Sequence, residues 1–589
     1  MNPEIEKACM FVLYEKSSQS KTDDLLIVKE RVRNPETGVE RPTIRLIKNY
    51  KRQFAITKKG LQGSHKQKKE WEFKQNLDFY ECTTAELPYR IAKALNVHGS
   101  YHRLGDLCKS PYVYGSDITS PVLYKQELDN KYNANNKEPW NPDMSIAVMD
   151  FETDVVNGTD AIISGAVSFK DKALITVTKD FLGPLVENVE EEINKLAMKH
   201  LKDDMTKRNI KLKVVVCDND FEVAARLMAA VHALKPDFLV FWNMGFDMKH
   251  ILRSCDRHHK DPADIFCDPC IPKEFRRFNF RESKANKVTA SGKKMNYAAA
   301  DLWHVVECPS SFYVIDAMVV FKMLRVVEGM RRSYSLDATL ESELGIRKLD
   351  FDIDDINGSH NISWHRAMQS RFKLIYMVYN LFDCISVELL DEKTGDLAKK
   401  IALYADGSEF STLKSNPKRL ANSLHFYLDE QDKVLCSTSS NMTEAMDRHV
   451  IGKRDWIVTL ANELTHEIGA NIFDPEHAGD LQSRIATHIY DIDISSGYPS
   501  GQWALNVSRG TTLVEVCKIV GQTEHELRRL AVNMTCVPAN SIDIGRTFLG
   551  LPNINEVLSE FGLDKELATV TQLNAEQDLS FQELIKIAA

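Results

Sequence analysis

The chain has 589 residues, 43% of them hydrophobic and 27% charged, with a formal net charge of −9. That length accommodates three or four domains with sizeable cores, and the slight acidity argues against a protein that coats nucleic acid indiscriminately. No run of about 18 apolar residues occurs, the start MNPEIEKACMFVLYEK lacks signal-peptide character, and twelve unpatterned cysteines fit a reducing compartment, so a cytosolic protein with no membrane partner is expected.

Residues 1–143 are expected to form an N-terminal domain of short β-like runs and basic turns, with the Asn- and Pro-rich stretch DNKYNANNKEPWNPDM at 129–144 as a linker. Lys and Arg concentrate in residues 29–74, interleaved with aromatics, which fits either a solvated surface or a nucleic-acid contact. From residue 145 the pattern becomes α/β. SIAVMDFET, AIISGAVSF, ALITVT and KLKVVVCD read as strands, EVAARLMAAVHALKP as an amphipathic helix, and DFLVFWN as a further strand, together predicting a mixed sheet. A second basic stretch with aromatics, KEFRRFNFRESKANKVTASGKK, occupies 273–294, and residues 371–404 read as one long helical stretch.

Three places in this α/β region carry acids with a chemical reading. Alternation along SIAVMDFET puts Asp150 and Glu152 on one face of a strand, where two carboxylates can share a metal, although acids at strand ends are also common. Asp247, in WNMGFDMKHI, follows an apolar strand and opens a helix, a position that also suits an acid favoured by the helix dipole. Tyr379 and Asp383 lie four apart on one face of an apolar helix, where Asp383 needs either a metal or a hydrogen-bonding surface position. Hard oxygen ligands of this kind suit Mg2+ or Mn2+.

In this order, DFE at 150–152, N-x-x-F-D at 243–247 and Y-x-x-x-D at 379–383 resemble the three exonuclease motifs of family B DNA polymerases. The resemblance implies a ribonuclease-H-like 3′→5′ proofreading exonuclease of the type with four acids and a tyrosine; the histidine variant would carry His where Val378 stands. It implies that Asp150, Glu152 and Asp383 hold one metal ion, that Asp150 and Asp247 hold a second, and that Tyr379 orients the attacking water. Asn243 and Phe246 match positions that handle an unpaired 3′ end. Arg276, Arg277 and Lys284, within 273–294, would contribute to DNA binding through a hairpin or loop beside the cleft.

Further on, YDIDISSGYPS at 490–500 resembles motif A of the same family's polymerase domain. The resemblance implies that Asp493 is a catalytic metal-binding acid, that Ser496 approaches the triphosphate of a dNTP, and that Tyr498 excludes the ribose 2′-hydroxyl. Gly497 stands where Leu is usual, which adds backbone freedom behind Tyr498. The flanks GANIFDPEHAG and ALNVSRGTT are similar to the family's approach to this motif and exit from it.

The implied organisation is an N-terminal domain at 1–143, an exonuclease domain at 144–396, a helical connection returning to the N-terminal domain at 397–465, and a partial palm with motif A at 466–589. Neither a D-T-D-like second acid nor a Lys-rich fingers helix ending in Y-G follows residue 500. The expectation is therefore the N-terminal subunit of a split family B replicative DNA polymerase of tailed-bacteriophage type, working in the cytoplasm of an infected bacterium. A second polypeptide would bring the fingers, the remaining palm, the thumb and, through them, a sliding clamp. The rival readings are a free-standing 3′→5′ exonuclease with a vestigial palm, and a noncatalytic DNA-binding or assembly subunit. Cys255, His258, His259, Cys267 and Cys270 have the C-x-x-H and C-x-x-C spacing of a zinc site, but the family has a connecting loop here, so Zn2+ is not expected.

Overall fold

The computed structural model describes residues 6–64, 71–99, 102–134, 140–288, 294–351, 353, 360–437, 512–518 and 530–536. It is a mixed α/β protein with several sheets, divided into two compact units, Met1–Ser439 and Ser440–Ala589. No helix among the described residues is long and apolar enough to cross a membrane.

The first unit opens with an antiparallel sheet of β1 (Glu6–Lys16), β2 (Asp24–Arg33) and β3 (Glu40–Lys48) in that order. A second small sheet contains β4 (Arg52–Thr57), while β5 (Trp71–Phe73) lies apart from it; β6 (Leu77–Cys82) and β7 (Val113–Tyr114) flank β4. The basic run at 29–74 is not all surface, since Lys29 is 0% and Arg52 3% exposed. A buried ammonium needs carbonyl or carboxylate partners, and Lys29 Nζ donates to the carbonyls of Lys235 at 2.7 Å and Pro236 at 3.2 Å. Beside it Arg31 pairs with buried Asp237, which also accepts from the Ser145 N–H and hydroxyl, each at 2.8 Å.

This latch fastens the N-terminal sheet to the next, a six-stranded sheet. Its members in chain order are β8 (Ile146–Thr153), β9 (Ile162–Phe169), β10 (Lys172–Thr178), β11 (Lys211–Cys217) and β12 (Phe238–Phe241), followed, after the short strands β13 (Asn279–Arg281), β14 (Asn286–Val288), β15 (Lys294–Asn296) and β16 (Val305–Glu307), by β17 (Tyr313–Asp316). The spatial order is β11-β10-β9-β8-β12-β17. β8, β9 and β10 form an antiparallel meander, β11 runs parallel to β10, and β12 and β17 run parallel to β8. The wholly apolar FLVF of β12 is buried, as a strand covered on both faces requires. In the basic 273–294 stretch, β13 pairs with β16, and β14 pairs with β15 as a hairpin.

Helices cover both faces: α1 (Val189–His200) and, further along, Lys373–Thr394 on one; α2 (Asp220–Leu234) and α3 (Met244–Arg257) on the other. A Cβ on Gly165 would lie 2.6 Å from the Phe151 ring and 2.8 Å from Leu227. The close crossing of α2 over the sheet therefore requires glycine there. α4 (Ala317–Leu324), α5 (Leu336–Leu344) and α6 (Ile362–Arg371) lead to α7 (Lys373–Thr394), in which every residue from Tyr376 to Glu388 is buried.

The single helix expected over 371–404 is broken at Gly395, which takes the left-handed conformation at φ 64. The Asp391 carboxylate then accepts from the N–H groups of Leu397 at 2.6 Å and Ala398 at 3.0 Å, starting a new helical turn. After α8 (Asn416–Glu430), β18 (Lys433–Leu435) pairs antiparallel with β5, so the chain returns to the N-terminal region. In the second unit the described residues form one antiparallel pair, β19 (Thr512–Lys518) and β20 (Leu530–Cys536).

Removing one partner of a buried ion pair leaves an uncompensated charge and costs about 3–5 kcal/mol. Asp237→Ala takes the buried carboxylate from Lys29, left with carbonyls alone, and from Arg31, left with Glu40 at 3.5 Å, so chemical denaturation should show a loss of that order. A loss under about 1 kcal/mol would contradict the latch.

Candidate metal centre

The site is built where the end of β8 meets α7. Alternation along β8 sends Ala147, Met149 and Phe151 into the core under α2 and α3, and Val148 into the core shared with α7. Asp150 and Glu152 follow Val148 on that second face. On α7, Tyr376, Tyr379, Asn380 and Asp383 have the i, i+3, i+4, i+7 spacing that makes one stripe. One ligand oxygen from each of Asp150, Glu152 and Asp383 lies within 4.8 Å of the others.

Each of these acids has one oxygen held by a protein donor. Asn380 Nδ2 donates to Asp150 Oδ2 at 2.6 Å. Tyr376 Oη donates to Glu152 Oε2. Lys348 Nζ donates to Asp383 Oδ2 at 2.5 Å and to Tyr379 Oη at 3.0 Å. Asp383 Oδ1 is buried and unpaired, and among the described residues no donor holds the second oxygen of Asp150 or Glu152. Three convergent carboxylate oxygens without donors fit a hard divalent cation such as Mg2+ or Mn2+.

Asp247 reaches the same place from the other side of the sheet end. It lies in the first turn of α3, whose N-cap residue Asn243 has a left-handed φ of 71. That turn is fixed by Asp316 at the end of β17, which accepts from Asn243 N at 3.3 Å and Met244 N at 2.8 Å, and also from Met318 N and Val319 N of α4. Asp247 is buried, with Oδ1 unpaired, and lies outside the tight three-acid group. Asp150 is nonetheless the strongest charge acting on it. The preceding residue, Phe246, is 47% exposed and leans on the ring of His250, one turn further on, at 4.5 Å.

Burial dominates the electrostatics. It pushes Asp150 up to about 7, with Asp383 adding to the rise and Lys348 and Asn380 opposing it. Burial and then Asp150 raise Glu152 well above the carboxylate range, and the same two causes raise Asp247. Asp383 is raised by burial against the pull of Lys348. Lys348 keeps its proton: burial opposes its charge, but Asp383 and Asp150 more than offset that. Such a group asks for more positive charge than one ammonium supplies.

The remaining sequence candidates have different surroundings. Arg276 spends its guanidinium on the carbonyls of Ile271 and Pro269, both at 2.8 Å, and Arg277 pairs with buried Glu15 at 2.5 Å. Lys284 is exposed between β13 and β14. Asp493, Ser496 and Tyr498 lie outside the described residues. Among the described residues, the only acidic, Cys or His group with metal-ligand spacing is Asp150, Glu152 and Asp383. His258 instead bonds Asp220 at 2.6 Å, and Cys267 donates to the Arg277 carbonyl at 3.3 Å.

Four residues that shape the site were not singled out by sequence. Asn380 and Tyr376 share the helical face of Asp383 and were legible there. Lys348 sits in a loop with no pattern to mark it, and Asp316 has the look of an ordinary N-cap. Neither a comparison with protein-family models nor a search of curated proteins finds a match to the chain.

A carboxyl whose pKa rises on folding contributes stability that is fully present below its unfolded value of about 4 and lost as pH climbs through its folded value. Without metal, the charged group therefore costs most at alkaline pH. Asp247→Asn should raise the melting temperature in chelator by a few degrees at pH 8 and by less at pH 5. An equal shift at both pH values would show that Asp247 is not held against other charges.

Proposed function

We propose that this chain is a metal-dependent 3′→5′ DNA exonuclease and the N-terminal subunit of a split family B DNA polymerase. The observation that carries the exonuclease reading is the group of Asp150, Glu152 and Asp383, each with one oxygen held and one free, beside buried Asp247. A three-strand meander joined by parallel strands, with the acids at the end of its first strand, is in keeping with a ribonuclease-H-like domain.

Phosphodiester hydrolysis needs a nucleophilic water at neutral pH and relief of charge on the leaving oxygen, which two ions about 3.5–4 Å apart supply when bound. Asp150, Glu152 and Asp383 would hold one ion, and Asp150 with Asp247 the other. The protein does the positioning. Asn380 and Tyr376 fix the two strand carboxylates, so their free oxygens converge without rearrangement at the moment of reaction. Burial, and then Asp383, raise the Tyr379 phenol well above its ordinary value, so it stays protonated. Lys348 donates to its oxygen and Asp383 stands beside its proton as an acceptor, which would hold the phenol against the metal centre, where it would meet a water or a phosphate oxygen. Half-exposed Phe246 and Asn243, at the mouth of α3, would meet the unpaired terminal nucleotide by stacking and hydrogen bonding. Exposed Lys284 would add a backbone phosphate contact.

Purified protein should degrade single-stranded DNA from the 3′ end with Mg2+ or Mn2+, and the pair Asp150→Ala with Glu152→Ala should lower the rate by several orders of magnitude. Undiminished degradation by that variant would refute the site.

The polymerase half rests on the motif A resemblance. One acid, Asp493, cannot build a two-metal centre; on the split reading the other acid, fingers and thumb would come from a second polypeptide. An interface completing one domain from two chains should bury roughly 2,000 Å² or more of largely apolar surface. Asp493→Ala should abolish extension by the reconstituted pair and leave 3′→5′ degradation intact. Extension by this chain alone, on a primed template with dNTPs, would overturn the split.

A further inference from the structure

Resting on the exonuclease reading, a further assignment comes from what holds Glu152. The Tyr376 hydroxyl has one proton, and it goes to Glu152 Oε2. The phenol oxygen itself accepts twice, from Gln369 Nε2 at 3.3 Å and from His365 Nδ1 at 2.8 Å. With its proton committed to Glu152, the phenol accepts from His365, which places the imidazole proton on Nδ1.

Gln369 does more than support the phenol. It is 2% exposed, its Nε2 donates to the Thr153 carbonyl at 2.8 Å, and its Oε1 accepts from Val155 N at 3.1 Å. One buried amide thus clamps the exit of β8 just past Glu152 and steadies the hydroxyl bonded to the Glu152 side chain. The Tyr376 ring is independently immobilised, stacked on Tyr379 at 5.9 Å and 3° and set edge-on to Trp364.

We propose that Tyr376, backed by Gln369 and His365, is the positioning residue of the metal centre, aiming the free Glu152 oxygen at the cation. A merely structural phenol would need a hydrogen-bond partner but would leave metal affinity untouched. Outer hydrogen bonds of this kind are worth about 10–100-fold in metal affinity.

Tyr376→Phe keeps the ring and removes the hydroxyl. Titration of Mn2+ into the whole protein, read by the resonance of free Mn2+, should show affinity about 10–100-fold weaker than wild type, and the half-saturating Mn2+ for nuclease action should move by the same factor. In a Glu152→Gln background Tyr376→Phe should add almost nothing, since its effect runs through that carboxylate. His365→Phe, which removes one donor to the phenol, should shift affinity in the same direction by less, and it stands as the test if Tyr376→Phe fails to melt cooperatively. Wild-type affinity in Tyr376→Phe, or an undiminished effect in the Glu152→Gln background, overturns the assignment. No Mn2+ binding by the wild type overturns both this and the exonuclease reading. Mn2+ binding without DNA degradation overturns only the latter.

Discussion

Four carboxylates crowded at the end of a sheet repel one another, and burial magnifies the repulsion. Two unit charges 4 Å apart interact by about 4 kcal/mol at an effective dielectric of 20, against about 1 in water. The structure meets this by giving each member of the tight group a donor of a different kind: an amide from Asn380, a phenol from Tyr376, an ammonium from Lys348. Only the last carries charge. The donors fix direction, while burial drives the acids to take up protons when no cation is bound, and those protons are what a cation would displace.

The scaffold is organised around that demand. β12 connects two of its fixed points: Asp237, just before the strand, ties in Lys29, Arg31 and Ser145, while the residues after it lead into the turn that carries Asp247. Asp316, at the end of the neighbouring strand β17, pins that turn and caps α4 with the same carboxylate. A shift of the N-terminal sheet would therefore be felt at the strand that positions Asp247. Rigid elements at both ends let acids from two helices and a strand converge without a loop supplying a ligand.

Much of this was legible in the sequence. The strands and α2 came from alternation and helical spacing, and the acid-bearing face of β8 followed from period two alone. The helix break at Gly395 was missed because the apolar pattern continues past it; the local conformation of one glycine and the Asp391 side chain override the pattern. Lys29 and Arg31 were counted with a basic surface, since linear charge density does not show that a strand's own face will be buried against carbonyls 200 residues away in sequence. Arg277 was read as a phosphate contact for the same reason, its partner Glu15 lying far off in the chain. Lys348 was invisible for a different cause: a loop residue whose only mark is where the fold puts it. The motif A stretch had only its resemblance to speak for it.

Lys348 also bears on how many cations the centre accepts at once. When all four acids are ionised, the ammonium leaves three net negative charges. A single divalent ion does not neutralise them, and two exceed them by one positive charge. A scissile phosphodiester brings the missing negative charge, so under the proposed reading the second ion and the DNA favour each other's binding. The coupling is reciprocal by linkage, and its strength comes from the low dielectric that raises the acids' pKa values. Replacing Lys348 with a neutral residue would shift that balance, letting both ions bind without substrate while releasing Tyr379 and Asp383 from the donor that orients them. Under the proposed reading the ammonium would therefore trade metal affinity in the free protein for a centre that completes itself on the DNA.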